Sequence, residues 1–490
     1  MAFVVYLTFA TLACASTSES SFRTLPDPYL WSEPGRPSAL AREALSIIEA
    51  APSHGLRIED YQIDELHSLN ERLVPGDIDS RLEYEGLMTD ALLRLFRDLR
   101  PQLATEVAGE SDSADLLALV LLEAARSGTL SDFYQSLLPR HAQYEALRAA
   151  LVREESTASA ASSDAIGRGP PLRAGDSGAR VRALRSRLLG SRPKTDNDVF
   201  DASLEAAVRD YQSLHGLDAD GVVGRRTQQH LDMPASARVA RIRLALARWR
   251  ELPVTLGDEY VHVNIPEFRL EMVRNGRSRV QMRVVVGSKD DPTPAFSDQI
   301  EYLVFNPYWH VPRRIALEEL VPKAVESPGY LTRQNYDVLA QGEVVEESSV
   351  DWSGMNHSSF TYRIRQRPGP TNALGVVKFL FPNPLDIYLH DSPTRSLYAR
   401  PVRAFSHGCI RLEDPRALAE ALLEHTGDWN AEQIADTLDT GRRRQINLER
   451  PVPVYLTYIT ARVTDSGELA LFDDVYGRDH SALERYYQAR

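Results

Sequence analysis

Apolar residues recur at three- and four-residue spacing from Ser38 to about Arg153: Leu40, Ala44, Ile47 and Ile48, then Leu87, Leu92, Leu93, Leu95, Phe96 and Leu99, then Leu116 to Leu122, then Tyr134, Leu137 and Leu138. That period is one stripe of an amphipathic helix, so residues 22–153 read as a helical bundle. His67, His141 and the carboxylates of this span read as solvated or satisfied structural groups. A small, polar run from Glu154 to Asp164, continuing to Gly169-Pro170-Pro171, reads as a linker over 154–171. From Leu172 to Met233 the pattern predicts three short helices. Asp176-Ser177 caps the first, with Val181, Leu184 and Leu188; Leu204, Ala207, Val208, Tyr211 and Leu214 mark the second; a turn at Asp220-Gly221 leads to the third, Arg225 to Leu231. Ser236 is placed to cap another amphipathic helix carrying Val239, Ile242, Leu246 and Trp249, within 234–256.

After Pro253 the period changes from helical to two. Val261, Val263 and Ile265 alternate, Phe268, Leu270 and Met272 follow, and Asn275-Gly276 offers a two-residue hairpin turn into Val280, Met282 and Val284 to Val286. Short strands punctuated by Pro and Gly continue to Tyr458, so 257–462 reads as a mainly β domain, a sandwich. A less regular insert over about 306–372 contains a helix-like stretch from Ile315 to Val325 and is long enough to cover a site. Tyr308 and Trp309, at its start, either line a substrate groove or pack the insert. Residues 463–490 read as a C-terminal tail. The fold class is therefore multidomain α+β.

At 490 residues and 43% hydrophobic the chain has the length of about three domains. Its formal net charge of −13 argues against nucleic acid as a partner, which calls for a basic face. The apolar run from Ala2 to Ala13 has the length of a signal-peptide core and is too short to span a bilayer, so residues 1–15 read as an export or lipoprotein signal. Cleavage after Ala15 removes Cys14; a lipoprotein ending instead puts lipid on Cys14, the one route to a membrane. Either way Cys409 is left without a disulfide partner in an oxidising compartment, the mark of a reactive thiol.

Cys409 lies in Ser406-His407-Gly408-Cys409-Ile410-Arg411, a polar, electropositive setting that suits a thiol nucleophile better than a core position. Two imidazoles compete as its base: His407, two residues before it, and His390 in Tyr388-Leu389-His390-Asp391-Ser392-Pro393, 19 residues upstream. A base brought in on a neighbouring strand reaches the thiol more naturally. Gly408 allows a tight turn in which the Gly408 and Cys409 amides aim at a developing oxyanion.

Leu172-Arg173-Ala174-Gly175-Asp176-Ser177-Gly178, Val208-Arg209-Asp210-Tyr211-Gln212 and Asp220-Gly221-Val222-Val223-Gly224 resemble the three-helix peptidoglycan-binding domain, here 172–233. Gln366-Arg367-Pro368-Gly369-Pro370-Thr371-Asn372-Ala373-Leu374-Gly375, then Pro382-Asn383, Tyr388 to Pro393 and Arg403 to Arg411, resemble the catalytic domain of the L,D-transpeptidases, most nearly the large Gram-negative type. Ser392 departs from that type, which usually has Thr there. The resemblance implies a helical scaffold domain, to which the 234–256 helix returns, a β-sandwich catalytic domain and a capping insert. It implies Cys409 as nucleophile, His390 as general base oriented by the Asp391 carbonyl, His407 in support and the Gly408 backbone at an oxyanion hole. Arg411, Ser406, Trp309, Tyr308 and Asn372 are the candidate substrate-binding residues; the bland reading of Arg411 is an ion pair with Glu413 or Asp414.

The implied reaction joins peptidoglycan stems by 3-3 cross-links through a thioester and needs no cofactor and no metal. The implied partners are stem peptides and glycan strands, with a peptidoglycan synthase or D,D-carboxypeptidase supplying tetrapeptides, in the periplasm or cell envelope. Three other readings stay open: an L,D-carboxypeptidase or amidase on the same fold, a non-catalytic wall-binding lipoprotein, and a zinc hydrolase using His390, His407 and Cys409.

Overall fold

The computed structural model describes residues 29–102, 113–160, 165–190, 198–427 and 429–488. The signal reading of residues 1–15, with Cys14, and residues 161–164 of the expected linker lie outside the described residues. The chain divides into two compact units: residues 1–52 with 56–137, and residues 53–55 with 138–490.

The first unit is helical: α1 (Ala39–Glu49), α2 (Ile63–Arg72), α3 (Ile78–Leu99), α4 (Ser113–Arg126) and α5 (Leu130–Leu137). Ser38 starts α1 by accepting the Ala41 amide on its hydroxyl, and Asp77 does the same for Ser80 at α3. Trp31, Tyr61, Tyr84, Leu92 and Phe96 are buried at its centre.

The second unit begins with α6 (Ala142–Ala160). The linker expected from Glu154 is therefore helical to Ala160. Glu154 and Glu155 pair with Arg238 and Arg243 at 2.8 and 2.7 Å. Ser156 and Thr157 turn their hydroxyls back to the Arg153 carbonyl, which satisfies them inside the helix. Next come α7 (Ala179–Leu189), α8 (Ala202–Leu214) and α9 (Arg225–Leu231) around Val181, Leu184, Leu204 and Val208. Two expected caps are not made. The residue before α7 is Gly178, Asp176 accepting the Arg173 amide instead, and α10 (Ala235–Arg250) follows Pro234 with Ser236 already inside the helix. α10 packs on α6 through Tyr144, Leu147, Leu151, Ile242, Leu246 and Trp249.

The mainly β domain comes next. Its strands are β1 (Glu259–Asn264), β2 (Arg269–Arg274), β3 (Arg277–Gly287), β4 (Phe296–Phe305), then, in the insert, β5 (Trp309–His310), β6 (Tyr336–Ala340), β7 (Glu343–Val345) and β8 (Arg363–Gln366). β9 (Val377–Leu380), β10 (Leu389–His390), β11 (Ala404–Ser406) and β12 (Ile410–Leu412) lead to α11 (Pro415–Leu423), α12 (Ala431–Asp439) and β13 (Arg444–Thr457). The nine-stranded sheet runs β11-β3-β12-β10-β9-β4-β13-β1-β2, and β2 also pairs with β3, so the sheet closes on a core of alternate residues such as Val261, Leu270, Met282, Leu303, Phe379, Leu389 and Ile410. Asn275 and Gly276 both take positive φ, 51° and 70°, as a two-residue turn between β2 and β3 requires.

The insert is a small four-stranded sheet, β5-β8-β6-β7, with a helical run over 313–326 and its own core of Leu320, Leu331, Val338, Trp352 and Phe360. One turn of that run, Ala316–Leu320, is π-helical, and Pro322, which has no N–H to donate, comes two residues after it.

Residues 463–488 are not the extended tail expected. β14 (Ala461–Val463) pairs with β15 (Leu469–Leu471), and α13 (Arg478–Gln488) places Asp479 in a buried pair with Arg248 at 2.6 Å.

Candidate active site

The site is built on two very short strands. β10 and β12 run parallel with Leu389 opposite Ile410 and His390 opposite Arg411, and β9 brings Lys378 opposite His390 from the other side. Leu389, Ile410 and Phe379 are fully buried in the core, so the alternation of a strand puts His390, Arg411 and Lys378 on the opposite face. One step earlier, Tyr388 and Cys409 share that face.

The turn before Cys409 is fixed by its own polar atoms. Ser406 Oγ accepts the Gly408 N–H at 3.2 Å and donates to the Cys409 carbonyl at 2.5 Å. Thr293, fully buried, donates its hydroxyl to the Gly408 carbonyl at 2.7 Å and accepts the Gly287 N–H at 2.8 Å. Gly408 sits at φ 109°, and a Cβ there would lie 3.2 Å from Ile387 Cδ1, so the position demands glycine. Tyr476, in the expected tail, supports the same loop by accepting the Thr293 N–H at 3.3 Å and donating to the Gly287 carbonyl at 2.7 Å.

Cys409 is half-buried, and its thiol lies 3.5 Å from the Asp386 carbonyl. Burial pushes the thiol up to about 11; hydrogen bonds from the main chain and side chain of Tyr388 and the charge of Arg411 oppose that rise. His390 is buried, and burial, with lesser help from the cationic charges of Arg411 and Lys378, lowers its imidazole to about 3. Its Nδ1 lies 2.5 Å from the Asp391 carbonyl. A carbonyl only accepts, so Nδ1 carries the proton and Nε2 keeps a lone pair. The Asp391 carboxylate is used elsewhere: Val376 and Ser392 amides and Arg395 bond to it at 2.8, 2.7 and 2.6 Å. Gly375 makes room for it, since a Cβ there would fall 2.2 Å from Asp391 Oδ2.

The structure separates the remaining candidates. His407 reaches out to the insert, its Nε2 2.8 Å from Glu319 on the π-helical turn. Arg411 does not pair with Glu413, which holds Arg283, or with Asp414, which caps α11; its guanidinium is held near Cys409, Tyr398 and Glu319, and its buried Nε has no partner among the described residues. Ser406 is buried and its hydroxyl is spent on the turn before Cys409. Asn372, fully buried, spends its amide on the Pro307 and Arg367 carbonyls at 3.0 and 2.9 Å and its oxygen on the Leu374 N–H, clasping the two ends of the insert. The Gly408 amide is occupied by Ser406. Trp309 lies against Tyr336 and Tyr308 under Arg365, and both rings are half-buried at the start of the insert. Lys378, Tyr388, Thr293 and Glu319 carry site geometry to which sequence pattern assigned no role. Only Tyr388 left a trace there, two residues before His390 on a strand.

Residues 258–453 match the family described as L,D-transpeptidase catalytic domain, the YkuD type. The chain carries an L,D-transpeptidase catalytic domain. Residues 23–151 match a scaffold domain, and residues 177–231 match a "Putative peptidoglycan binding domain". A Haemophilus influenzae protein named "Putative L,D-transpeptidase" is 37% identical over 220 residues, 45% of this chain and 44% of that protein. The chain thus matches less than half the length of this relative. Among solved structures, an L,D-transpeptidase of Xylanimonas cellulosilytica aligns at 14% identity over 59% of this chain and 99% of that one, with a TM-score of 0.19. One of Mycobacterium smegmatis aligns at 12% over 41% of this chain and 60% of that one, also at 0.19.

Proposed function

We propose that this L,D-transpeptidase domain acts through Cys409, forming a thioester with a peptidoglycan tetrapeptide stem and passing the acyl group to the side-chain amine of a second stem, a 3-3 cross-link. The observation that carries the reading is the shared sheet face of Cys409, Tyr388 and His390, with His390 held as a neutral base by the Asp391 carbonyl. Diagonal neighbours on adjacent strands have Cα atoms about 7–8 Å apart and Cβ atoms somewhat less, within reach of an imidazole and a thiol.

A thiol raised to about 11 is protonated at neutral pH, so attack needs a base. As sulfur bonds to the carbonyl carbon of the diaminopimelate L-centre, its proton passes to His390 Nε2. The C–N bond to the terminal D-Ala then breaks, and the imidazolium returns the proton to the leaving amine. The acceptor amine attacks the thioester, gives its proton to His390 and restores the thiol. With the Gly408 N–H occupied, the Cys409 amide is the main-chain donor left for the oxyanion; a donor of that kind is worth roughly 100- to 1,000-fold in rate. The broken peptide bond supplies the energy of the new one, so the reaction runs where there is no ATP. That suits an envelope protein, as does the match to a peptidoglycan-binding domain.

Intact-protein mass spectrometry with a tetrapeptide muropeptide tests this. Wild type gains a covalent adduct and yields a dimer lacking one D-Ala, while Cys409→Ala does neither. An adduct resolving only to tripeptide makes the protein a carboxypeptidase, and no adduct with stem binding intact makes it a wall-binding module.

A further inference from the structure

We propose that Lys378, with His310 and Arg443 beside it, forms a carboxylate site next to Cys409 that holds a free carboxylate of the donor stem. The proposal rests on the transpeptidase reading above. Lys378 is fixed by register: it lies directly opposite His390, between Val377 and Phe379, which are fully buried in the core, so its side chain belongs to the face that carries the site. Its ammonium lies 5.6 Å from the centre of the Tyr388 ring, the residue that hydrogen-bonds the thiol. The side chain is half-buried, and the desolvation of its ammonium is the main influence on its ionisation.

Among the described residues no carboxylate pairs with this ammonium. The groups acting on Lys378 are Arg443, which repels it, and the Cys409 sulfur, which would attract it only as a thiolate. His310 faces Lys378, Arg365, Arg363 and Arg443, all cations. Arg443 bonds to the neutral Gln445. Of the cations near His310, Arg365, directly opposite it in register, does have a counter-ion: it and Arg367 both pair with Asp337. Desolvated cations in proteins are normally paired, and one left without a counter-ion beside a nucleophile marks the seat of an anion. With the thiol protonated at neutral pH, that anion arrives with the substrate. The donor stem offers carboxylates and no other anionic group near the scissile bond: the terminal D-Ala carboxylate and the D-centre carboxylate of diaminopimelate.

The test uses the mature protein and three donor stems: the free acid, one amidated at the terminal D-Ala, and one amidated at the diaminopimelate D-centre. Lys378→Met is expected to lower kcat/KM for Cys409 acylation by the free acid about tenfold or more, mostly through KM, with Lys378→Arg restoring part of it. For one amidated stem the wild type should fall to the variant's level and the substitution should have no further effect; which stem does so names the carboxylate. An equal penalty on all three stems, or no penalty on any, overturns the carboxylate site. Failure of the wild type to form a Cys409 adduct with any stem overturns the transpeptidase reading instead. The thermal melt of each variant beside wild type separates unfolding from lost recognition.

Discussion

Cys409 is a weak acid where it sits, and the residues around it explain why. Burial raises its thiol to about 11, and the Tyr388 hydrogen bonds counter only part of that. In the free protein, alkylation by iodoacetamide should therefore be slow at pH 7 to 8, with a midpoint above that of an unperturbed thiol. Tyr388→Phe removes one of the two Tyr388 contacts that stabilise the thiolate, so its alkylation midpoint should move higher still. A midpoint at or below the unperturbed thiol's, or a downward shift in Tyr388→Phe, contradicts this account.

At the scale of elements, the two histidines have parted company because they sit on different pieces. His390 is on β10, inside the sheet face, and His407 is on the turn before Cys409, paired with Glu319 of the insert. A partly exposed contact of this kind is worth at most about 1 kcal/mol, so His407→Ala should change acylation by less than about fivefold while loosening the helical run over 313–326. His390→Ala removes the proposed base and should cost roughly 100- to 10,000-fold. Acylation kinetics of the two variants, with hydrogen exchange of the insert, check both halves; a larger loss in His407→Ala would exchange the roles.

At the scale of the molecule, the second unit is strewn with histidines that burial keeps neutral. His54, His215, His262 and His390 are lowered to about 3, and His141 and His230 to about 4. Each is protonated in the unfolded chain below about pH 6.5 but stays neutral when folded, so the unfolded state binds more protons and stability falls as pH drops. The contribution is fully present above about pH 7 and is lost progressively from about pH 6.5 down to about 3, where the folded-state groups themselves take up protons. The urea midpoint of unfolding should be flat near neutrality and fall steeply below pH 6, with amides of residues 138–488 losing protection. A midpoint unchanged between pH 7 and 4.5 would show these imidazoles to be accessible to protons in the folded state.

Local pattern and rare residue types were enough, read along the chain, to settle part of this protein. Period two set the alternation of Val261, Val263, Leu270 and Met272, and Asn275-Gly276 set the turn between β2 and β3, because both depend on neighbours in sequence. A thiol between Gly408 and Ile410, with imidazoles at 390 and 407, marked the candidate site because few residue types can serve as nucleophile or base. Contacts between distant parts of the chain decided the rest. Arginines on α10 pair with Glu154 and Glu155 where a linker was expected, Tyr476 ties the last segment to the loop beside Cys409, and Asp479 ties it to Arg248. Asn372 and Ser406 are tied into clasps by partners far apart or around a turn, because buried polar atoms take the nearest partners. Lys378 came to face His390 because β9 and β10 are antiparallel, a register written in no local stretch of sequence.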